Sequence, residues 1–303
     1  MTSISLRDRY LGCLLGLAVG DAVGTSVEFM VRGSFAPVTD MTGGGPFRLA
    51  AGQWTDDTSM ALCLLESLLG AHGFDAVNQM GRYLNWWRFG YLSSTGECFD
   101  IGNTVRSALL RFEANGDPFA GDTDPASAGN GSLMRLAPVA LFYHPDVERV
   151  VHFSAMSSRT THGASEAVEC CQLLGLILQR CLAGLPRDEV LRAGDLNLEA
   201  PKVAALASGE YVGKSIDQIR GSGYAVEALE AALWCFEGTG DFESAVLKGV
   251  NLGDDADTTG AIVGQIAGAF YGVGAIPGKW LERLHLKHWI VERVEMLMDV
   301  SWK

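Results

Sequence analysis

Two stretches of this 303-residue chain carry a glycine at every fourth position, and this spacing limits how the chain can fold. They contain Gly12, Gly16, Gly20 and Gly24, and then Gly260, Gly264, Gly268 and Gly272. Residues four apart lie on one face of an α-helix, where each glycine costs about 1 kcal/mol relative to alanine. The close approach of another helix backbone explains such a row. We therefore predict that the two helices pack against each other at the core.

Acidic residues accompany both glycine-rich helices. Asp21 lies within the first run and Glu28 follows it, whereas Asp255 and Asp257 come just before the second run. If the helices pack together, their ends bring these carboxylates to one cleft. Placement of the two helices on opposite sides of the molecule would contradict this hypothesis.

Two acidic clusters, residues 55–58 and 254–259, lie almost two hundred residues apart and carry matching sets of oxygen ligands. Each leads into an apolar stretch, which is typical of a helix start, and Thr or Asp is favoured there as an N-cap. Capping alone explains one such residue at each place, but consecutive carboxylates repel each other unless a positive charge lies between them. Oxygen ligands without nearby His or Cys favour Mg²⁺, Mn²⁺ or Ca²⁺.

The second cluster also matches the first six positions of a calcium-binding EF-hand loop, starting at Asp255. The twelfth position of that loop needs a bidentate Glu, and here it is Ile266. The ligand set must therefore be completed from elsewhere in the chain. We predict a metal site shared by the two clusters and favour it over two unrelated helix caps.

The amino-acid composition limits which classes of protein this chain can belong to. With 48% hydrophobic and 19% charged residues, the chain can form a large buried core. A net charge of −13 argues against a nucleic-acid surface, because phosphate-backbone binding depends on Lys and Arg. Seven cysteines with no CxxC pair indicate reduced thiols, and we expect a cytoplasmic protein.

The remaining pattern favours an all-α fold in one compact domain over residues 1–303, since no segment alternates with period two. Residues 258–278 are long and uncharged, but their glycines and the preceding acids favour a buried helix over a membrane span. The predicted helices cover residues 11–24, 59–69, 74–89, 105–114, 147–156, 164–182, 189–206, 224–236, 241–250, 260–271 and one or two segments within 276–300.

Three further features are candidates for a site, each with a structural alternative. Asp100 precedes a predicted helix and is either its N-cap or a site residue. The Gly-rich loop 121–131 leads into an apolar run, where free N–H groups would suit an anion, although a plain turn is commoner. His162 precedes another helix and on local grounds is a cap or a surface residue.

Together these motifs make the chain resemble the ADP-ribosylglycohydrolase family, and within it the bacterial dinitrogenase reductase-activating type. The resemblance covers nearly the whole chain. It is carried by Gly20-Asp21-Ala22, Val27-Glu28-Phe29, Met41-Thr42-Gly43-Gly44-Gly45, Thr55-Asp56-Asp57-Thr58, Asp100-Ile101-Gly102-Asn103-Thr104, Gly129-Asn130-Gly131, Thr161-His162 and residues 251–260. It implies a single all-helical domain with two divalent cations, Mg²⁺ or Mn²⁺, that cleaves ADP-ribose from protein side chains.

The resemblance also implies roles for individual residues. Glu28 would lie near the metals, and Asp100 near the ribose; either would carry the proton in hydrolysis. Metal ligands would be Thr55, Asp56, Asp57, Asp255, Asp257 and Thr258. The diphosphate of ADP-ribose would be held by Ser127, Gly129, Asn130, Gly131 and Ser132, and His162 would contact phosphate or ribose.

The expected reaction is removal of ADP-ribose from arginine of a modified protein, which serves as the partner. Alternatives are a hydrolase of the same fold acting on ADP-ribosylserine, a modified nucleobase or free ADP-ribose derivatives, and a noncatalytic ADP-ribose-binding protein. Complete retention of the acids argues against the last. The sequence has no GxSxG element, which disfavours a covalent serine mechanism.

Overall fold

A computed structural model describes residues 4–194 and 196–301, and within these ranges the protein is built from α-helices. Their order is α1 (Leu6–Gly24), α2 (Asp56–Ala71), α3 (Ala76–Phe89), α4 (Asn103–Asn115), α5 (Ala137–Tyr143), α6 (Val147–Arg159), α7 (Ser165–Leu182), α8 (Arg187–Leu191), α9 (Pro201–Ala207), α10 (Ala225–Glu237), α11 (Phe242–Val250), α12 (Ala256–Tyr271), α13 (Gly278–Arg283) and α14 (Lys287–Ser301). β-Structure in the described residues is limited to isolated bridges. The predicted all-α fold is confirmed.

The central contact is between α1 and α12, which run antiparallel with their glycines facing each other. A Cβ atom added at Gly16 would lie 2.3 Å from the Gly264 carbonyl oxygen, and one at Gly20 would lie 2.0 Å from that of Gly260. Real Cβ atoms essentially never approach a backbone that closely. The packing predicted from the glycine spacing is therefore confirmed, and it is a contact between main chains.

This register places the end of α1 beside the start of α12. A Cβ atom on Gly24 would lie 2.4 Å from the Cα atom of Asp257. α12 also packs against α7, α10 and α11, which surround it with apolar side chains. The acidic end of this helix pair is thus fixed within the core.

A smaller apolar cluster forms the wall of the molecule on the side of α3 and α4. It includes Met60, Trp86, Leu109 and Met134. Because Met60 comes from α2 and Met134 from the turn before α5, this cluster joins the two segments on which candidate site residues lie.

Two local predictions are wrong. The helix predicted over residues 189–206 is two short helices, α8 and α9. Pro201 begins α9, and the residue before a proline is biased away from helix. The Glu169 carboxylate accepts the backbone N–H groups of Glu199 and Ala200, which holds this stretch as a loop.

The capping role considered for Asp100 is also wrong. Helix α4 begins at Asn103 with Gly102 as its N-cap, and Asp100 has a backbone φ of 57°. The stretch 258–278 is part of the buried helix α12 as far as Tyr271, in agreement with the predicted buried helix. One segment, Leu6–Val27, has the length and apolar character of a membrane span, but 94% of its apolar window is buried among the other helices.

Candidate active site

The first turns of α2 and α12 converge at the end of the α1–α12 pair. Asp56 and Asp57 begin α2, and Asp257 lies in the first turn of α12. All three are buried. Neither Thr55 nor Asp255, the N-cap residues, makes a side-chain capping bond. Helix capping thus does not account for these side chains, which are directed at each other across the cluster.

Asp21 of α1 supplies the cap that α2 lacks. Its Oδ1 accepts the backbone N–H of Thr55 at 2.9 Å, and its Oδ2 accepts the backbone N–H and the hydroxyl of Thr58 at 3.0 and 2.6 Å. A charged acceptor with this many donors makes strong hydrogen bonds. Asp21 therefore fixes the start of α2 relative to α1, and with Asp57 and Asp257 it offers ligand oxygens within 4.8 Å of one another.

Hydroxyl groups bridge the two clusters. The Thr258 hydroxyl donates to Asp57 Oδ1 at 3.1 Å. The Thr55 hydroxyl lies 3.1 Å from Asp257 Oδ2 and 3.0 Å from Asp21 Oδ1, so its single proton is shared between them. The predicted convergence of residues 55–58 and 254–259 is confirmed by these contacts.

Three buried carboxylate oxygens of the site have no partner among the described residues. Buried Asp57 Oδ2, Asp257 Oδ1 and Glu28 Oε2 accept no hydrogen bond from any described residue. A buried polar atom left unsatisfied costs about 1–3 kcal/mol, more when it is charged. Unsatisfied carboxylate oxygens that face each other have the arrangement of a site for a hard cation.

Electrostatics leads to the same conclusion. Burial, followed by repulsion from Asp21 and Asp257, raises the pKa of Asp57 well above its usual value. The pKa of Asp257 is raised for the same reasons, by burial and then by Asp255. These carboxylates cannot all ionise near neutral pH unless a positive charge joins them, and divalent cations would supply it.

A second group of acids lies beside the first. Glu28, Asp100 and Asp257 also offer oxygens within 4.8 Å of one another, and Asp100 lies within hydrogen-bonding reach of Asp56. Burial raises the pKa of Asp100 to about 7, and burial with Asp257 raises that of Glu28 to about 12. Two overlapping acid groups therefore share Asp257.

The loop that carries Glu28 is tied to the second acidic cluster. The Phe29 N–H donates to the Asp254 carbonyl at 2.7 Å, and the Asp254 N–H donates to the Met30 carbonyl at 2.8 Å. Both Phe29 and Asp254 have positive φ, 62° and 54°, which is uncommon for residues other than glycine. Strained backbone of this kind is concentrated at functional sites.

The acids form one side of a cavity of about 680 Å³. Phe29, Phe47, Phe99 and Trp87 form an aromatic part of its wall. Gly129, Asn130, Gly131 and His162 also line the cavity. This cavity has the size of a site for a small molecule or cofactor, and it brings most of the predicted site residues together.

Asn130 connects the Gly-rich turn to the acids. Its side-chain amide donates to Asp255 Oδ2 at 2.7 Å and to the Ser222 carbonyl at 3.3 Å. The side chain of Asn130 therefore positions an acid of the second cluster. If Asn130 helps to bind an anion, it does so through the backbone turn that it forms, because its side-chain amide is already hydrogen-bonded.

The turn itself leaves donors available. The backbone N–H groups of Gly131 and Ser132 make no hydrogen bond to another described residue. A Cβ atom on Gly131 would lie 2.9 Å from His162 Cε1, and one on Gly129 would lie 3.3 Å from His162 Nε2. Glycines are thus required because the imidazole packs directly on the turn.

Two predicted substrate contacts have their side chains elsewhere. The Ser127 hydroxyl donates to the carbonyls of Asp122 and Asp124 and lines a neighbouring depression. The Ser132 hydroxyl is buried and lies within hydrogen-bonding distance of the Ser158 hydroxyl, 2.9 Å away. The structure does not bring these two hydroxyls into the cavity, because local backbone and core partners satisfy them.

The protein-family model described as ADP-ribosylglycohydrolase matches residues 2–303 of this chain. The chain belongs to the ADP-ribosylglycohydrolase family. Within this family it is 46% identical, over 99% of its length and 80% of the relative, to "ADP-ribosylarginine hydrolase Tri1" of Pseudomonas putida. It is 36% identical to "ADP-ribosyl-[dinitrogen reductase] glycohydrolase" of Rhodospirillum rubrum, covering 95% of this chain and 94% of that one.

Comparison with solved structures gives the same family. The chain matches an "ADP-ribosylglycohydrolase-related protein complex" with a TM-score of 0.86 and 46% identity, over 98% of this chain and 99% of that one. As an ADP-ribosylglycohydrolase, it is a hydrolase whose acidic cluster is suited to metal. Asp21 lies at the cleft, as predicted, but its role as the cap of α2 was not predicted from the sequence. The available signal was an acid directly after Gly20, within the row of glycines.

Proposed function

We propose that this chain removes ADP-ribose from arginine side chains of modified proteins in a metal-dependent hydrolysis. The observation that carries the proposal is the convergence of residues 55–58 and 255–258 on one side of a cavity, with unpartnered buried carboxylate oxygens. The arginine linkage is supported by the 46% identical relative, which is named for it.

We propose that two divalent cations, Mg²⁺ or Mn²⁺, bind at the two overlapping acid groups. The oxygen-only donor set fits these ions, and the unpartnered oxygens of Asp57 and Asp257 fit direct coordination. The ligands would be Thr55, Asp56, Asp57, Asp255, Asp257 and Thr258, with Glu28 directly or through water. Bound cations would orient the ribose and supply a water of lowered pKa.

The protein's own groups would carry the proton. Asp100 and Glu28 both line the cavity next to the acids, where either can take a proton from water or give one to the leaving arginine. Asp100 is favoured on position, because it lies between Glu28 and Asp56. Its pKa of about 7 in the cation-free protein would fall when cations bind nearby.

The diphosphate would lie on the turn formed by Gly129, Asn130 and Gly131. The free N–H groups at Gly131 and Ser132 and the ring of His162 offer donors to anionic oxygens. With a net charge of −13, the protein would attract such an anion only through local donors and bound cations. A cytoplasmic location is part of this proposal, since all seven cysteines are free thiols.

The test is to incubate the purified chain plus Mg²⁺ or Mn²⁺ with arginine-linked and serine-linked ADP-ribosylated proteins and to measure free ADP-ribose. Release from the arginine-linked protein only is expected, and EDTA should abolish it. Release from the serine-linked protein only would favour the alternative hydrolase. Binding of ADP-ribose without any release would favour a noncatalytic protein.

A matched pair of variants tests the acids. Asp255→Asn should reduce hydrolysis at least a hundredfold, because it removes a cation ligand. Asp254→Asn removes the same charge one residue away, at an exposed position with φ of 54° that asparagine tolerates, and should keep wild-type activity. Equal activity of the two variants would contradict the metal assignment.

A further inference from the structure

Arg135 is a fully buried guanidinium with no acidic partner among the residues that the structure describes. Its side chain is 0% exposed, and no described carboxylate lies within salt-bridge distance of it, whereas other arginines of the chain do form ion pairs. Its Nε makes no hydrogen bond to any described residue. A buried and unpaired charge is costly, so a purely structural role for this residue is hard to explain.

One hydroxyl among the groups around Arg135 makes the shortest hydrogen bond to it. The guanidinium lies over the Tyr83 ring at 4.6 Å and 3.9 Å from Met60 Sδ. Its Nη2 donates to Thr161 Oγ1 at 2.7 Å, whereas its contacts with Ser157 O and Thr160 Oγ1 are long, 3.4 and 3.5 Å. Thr161 is therefore the main hydrogen-bond partner.

Thr161 also makes a hydrogen bond to His162. Its Oγ1 also lies 2.8 Å from His162 Nδ1. Because guanidinium can only donate, Oγ1 accepts from Arg135 and has its own proton free to donate to Nδ1. The other imidazole nitrogen, Nε2, then carries the ring proton. Burial, and after it the positive charge of Arg135, also keeps the ring neutral and lowers the pKa of His162 to about 3.

The position of the imidazole is fixed as well as its tautomer. The backbone of His162 is held by Ser158 on both sides, with His162 N donating to Ser158 O at 2.7 Å and Ser158 Oγ donating to His162 O at 2.9 Å. The Nε2 edge lies on the Gly129–Gly131 turn at the wall of the cavity.

We propose that Arg135 is a positioning residue that acts through Thr161 to hold His162 as the neutral Nε2–H tautomer, directed at an anionic oxygen bound on the Gly129–Gly131 turn. The unpaired guanidinium adds a positive potential beneath the same turn. In an acidic protein, this buried cation and the imidazole donor together would favour the diphosphate of the substrate. The identity of the anion rests on the proposed function; the tautomer does not.

The tautomer is tested in the ligand-free protein. Histidine labelled with ¹⁵N gives separate signals for the ring nitrogens in long-range proton–nitrogen spectra, and His162→Gln identifies the signals of residue 162 among six histidines. Wild type and Thr161→Ser should show Nε2 protonated and Nδ1 unprotonated. Thr161→Val, which lacks the hydroxyl, should shift both signals toward their averaged positions. Protonated Nδ1 in wild type, or unchanged signals in Thr161→Val, would overturn the proposal.

The binding consequence is tested by calorimetric titration with ADP-ribose in the presence of Mg²⁺. Loss of one hydrogen bond predicts about tenfold weaker binding by Thr161→Val, with Thr161→Ser close to wild type. Affinity for Mn²⁺ alone should be unchanged, since Thr161 contacts none of the acids. Equal ADP-ribose affinity of Thr161→Val and wild type would overturn the proposal. If wild type fails to bind ADP-ribose, the proposed function fails and the tautomer result alone decides the inference.

Discussion

Asp21 shows how one side chain can organise a site without extending into its cavity. It is fully buried, comes from α1, and accepts hydrogen bonds from both threonines that flank Asp56 and Asp57. The threonine hydroxyls are thereby oriented, and the acids between them are directed away from the helix axis. Burial raises the pKa of Asp21 to about 6, although the hydrogen bonds from Thr58 and Thr55 oppose that rise.

Asp21→Asn should destabilise the protein and impair its activity. Asparagine has one acceptor oxygen and presents an NH₂ group to donors on the other side, so about two hydrogen bonds to a charged acceptor are lost. The expected cost is about 3 kcal/mol in the free energy of unfolding, measured by urea denaturation with saturating Mg²⁺. The matched control is Asp241→Asn at the exposed N-cap of α11, where the change should stay within about 0.5 kcal/mol. Equal stability of both variants would contradict this role for Asp21.

The α1–α12 pair is the element on which the site depends. Glycine carbonyls of each helix lie where a side chain of the other would have to be. The two helices therefore approach more closely than ordinary side-chain packing permits. Their antiparallel register brings Asp21 and Asp257 together at one end.

Gly264→Ala should separate the helices. The added Cβ would lie 2.0 Å from the Gly16 carbonyl oxygen, so the clash should exceed the roughly 1 kcal/mol that alanine gains inside a helix. We expect a net loss of about 2 kcal/mol or more in unfolding free energy and weaker Mn²⁺ binding. Gly81→Ala in α3, where an added Cβ meets nothing within 4 Å, should instead be neutral or stabilising by up to about 1 kcal/mol. A stabilised Gly264→Ala variant would disprove the close contact.

The sequence predicted this element well, because rows of glycine and runs of acid have few alternative explanations. The sequence was a poorer guide to the hydrogen-bond partners of side chains that have several possible partners. Ser127 and Ser132 belong to the expected anion loop, but neighbouring carbonyls and Ser158 satisfy their hydroxyls. The link from Arg135 to His162 joins residues far apart in sequence, and no local pattern indicates it. The division of residues 189–206 depends partly on Pro201, which is visible in the sequence. It depends also on hydrogen bonds that Glu169 accepts from the backbone of residues 199 and 200, and local propensity does not predict these.

At the scale of the whole molecule, the acids create a dependence of stability on pH and metal. The pKa values of Asp21 and Asp100 rise from 3.8 to about 6 and about 7. Between pH 4 and 7 the folded, metal-free protein therefore holds more protons than the unfolded chain, so its stability falls as the pH rises through this window.

Thermal melting measured between pH 5 and pH 8 checks this. In EDTA the melting temperature should be highest near pH 5 and should decline toward pH 8. Saturating Mg²⁺ should raise it most at pH 8, where the acids are ionised and bind the ion best. In Asp100→Asn the decline in EDTA should be shallower. A melting temperature in EDTA that rises toward pH 8 would contradict the raised pKa values.

The glycine contact between α1 and α12 makes the spacing of the acidic oxygens independent of the shape of the aromatic cavity wall. The spacing of the acidic oxygens follows from main-chain geometry deep in the protein, whereas Phe47, Phe99 and Trp87 lie on the cavity wall outside both helices. Substitutions among these aromatics would change which modified side chain can enter while leaving the bond-breaking chemistry intact. Related proteins could in this way diverge in target without rebuilding their reaction centre.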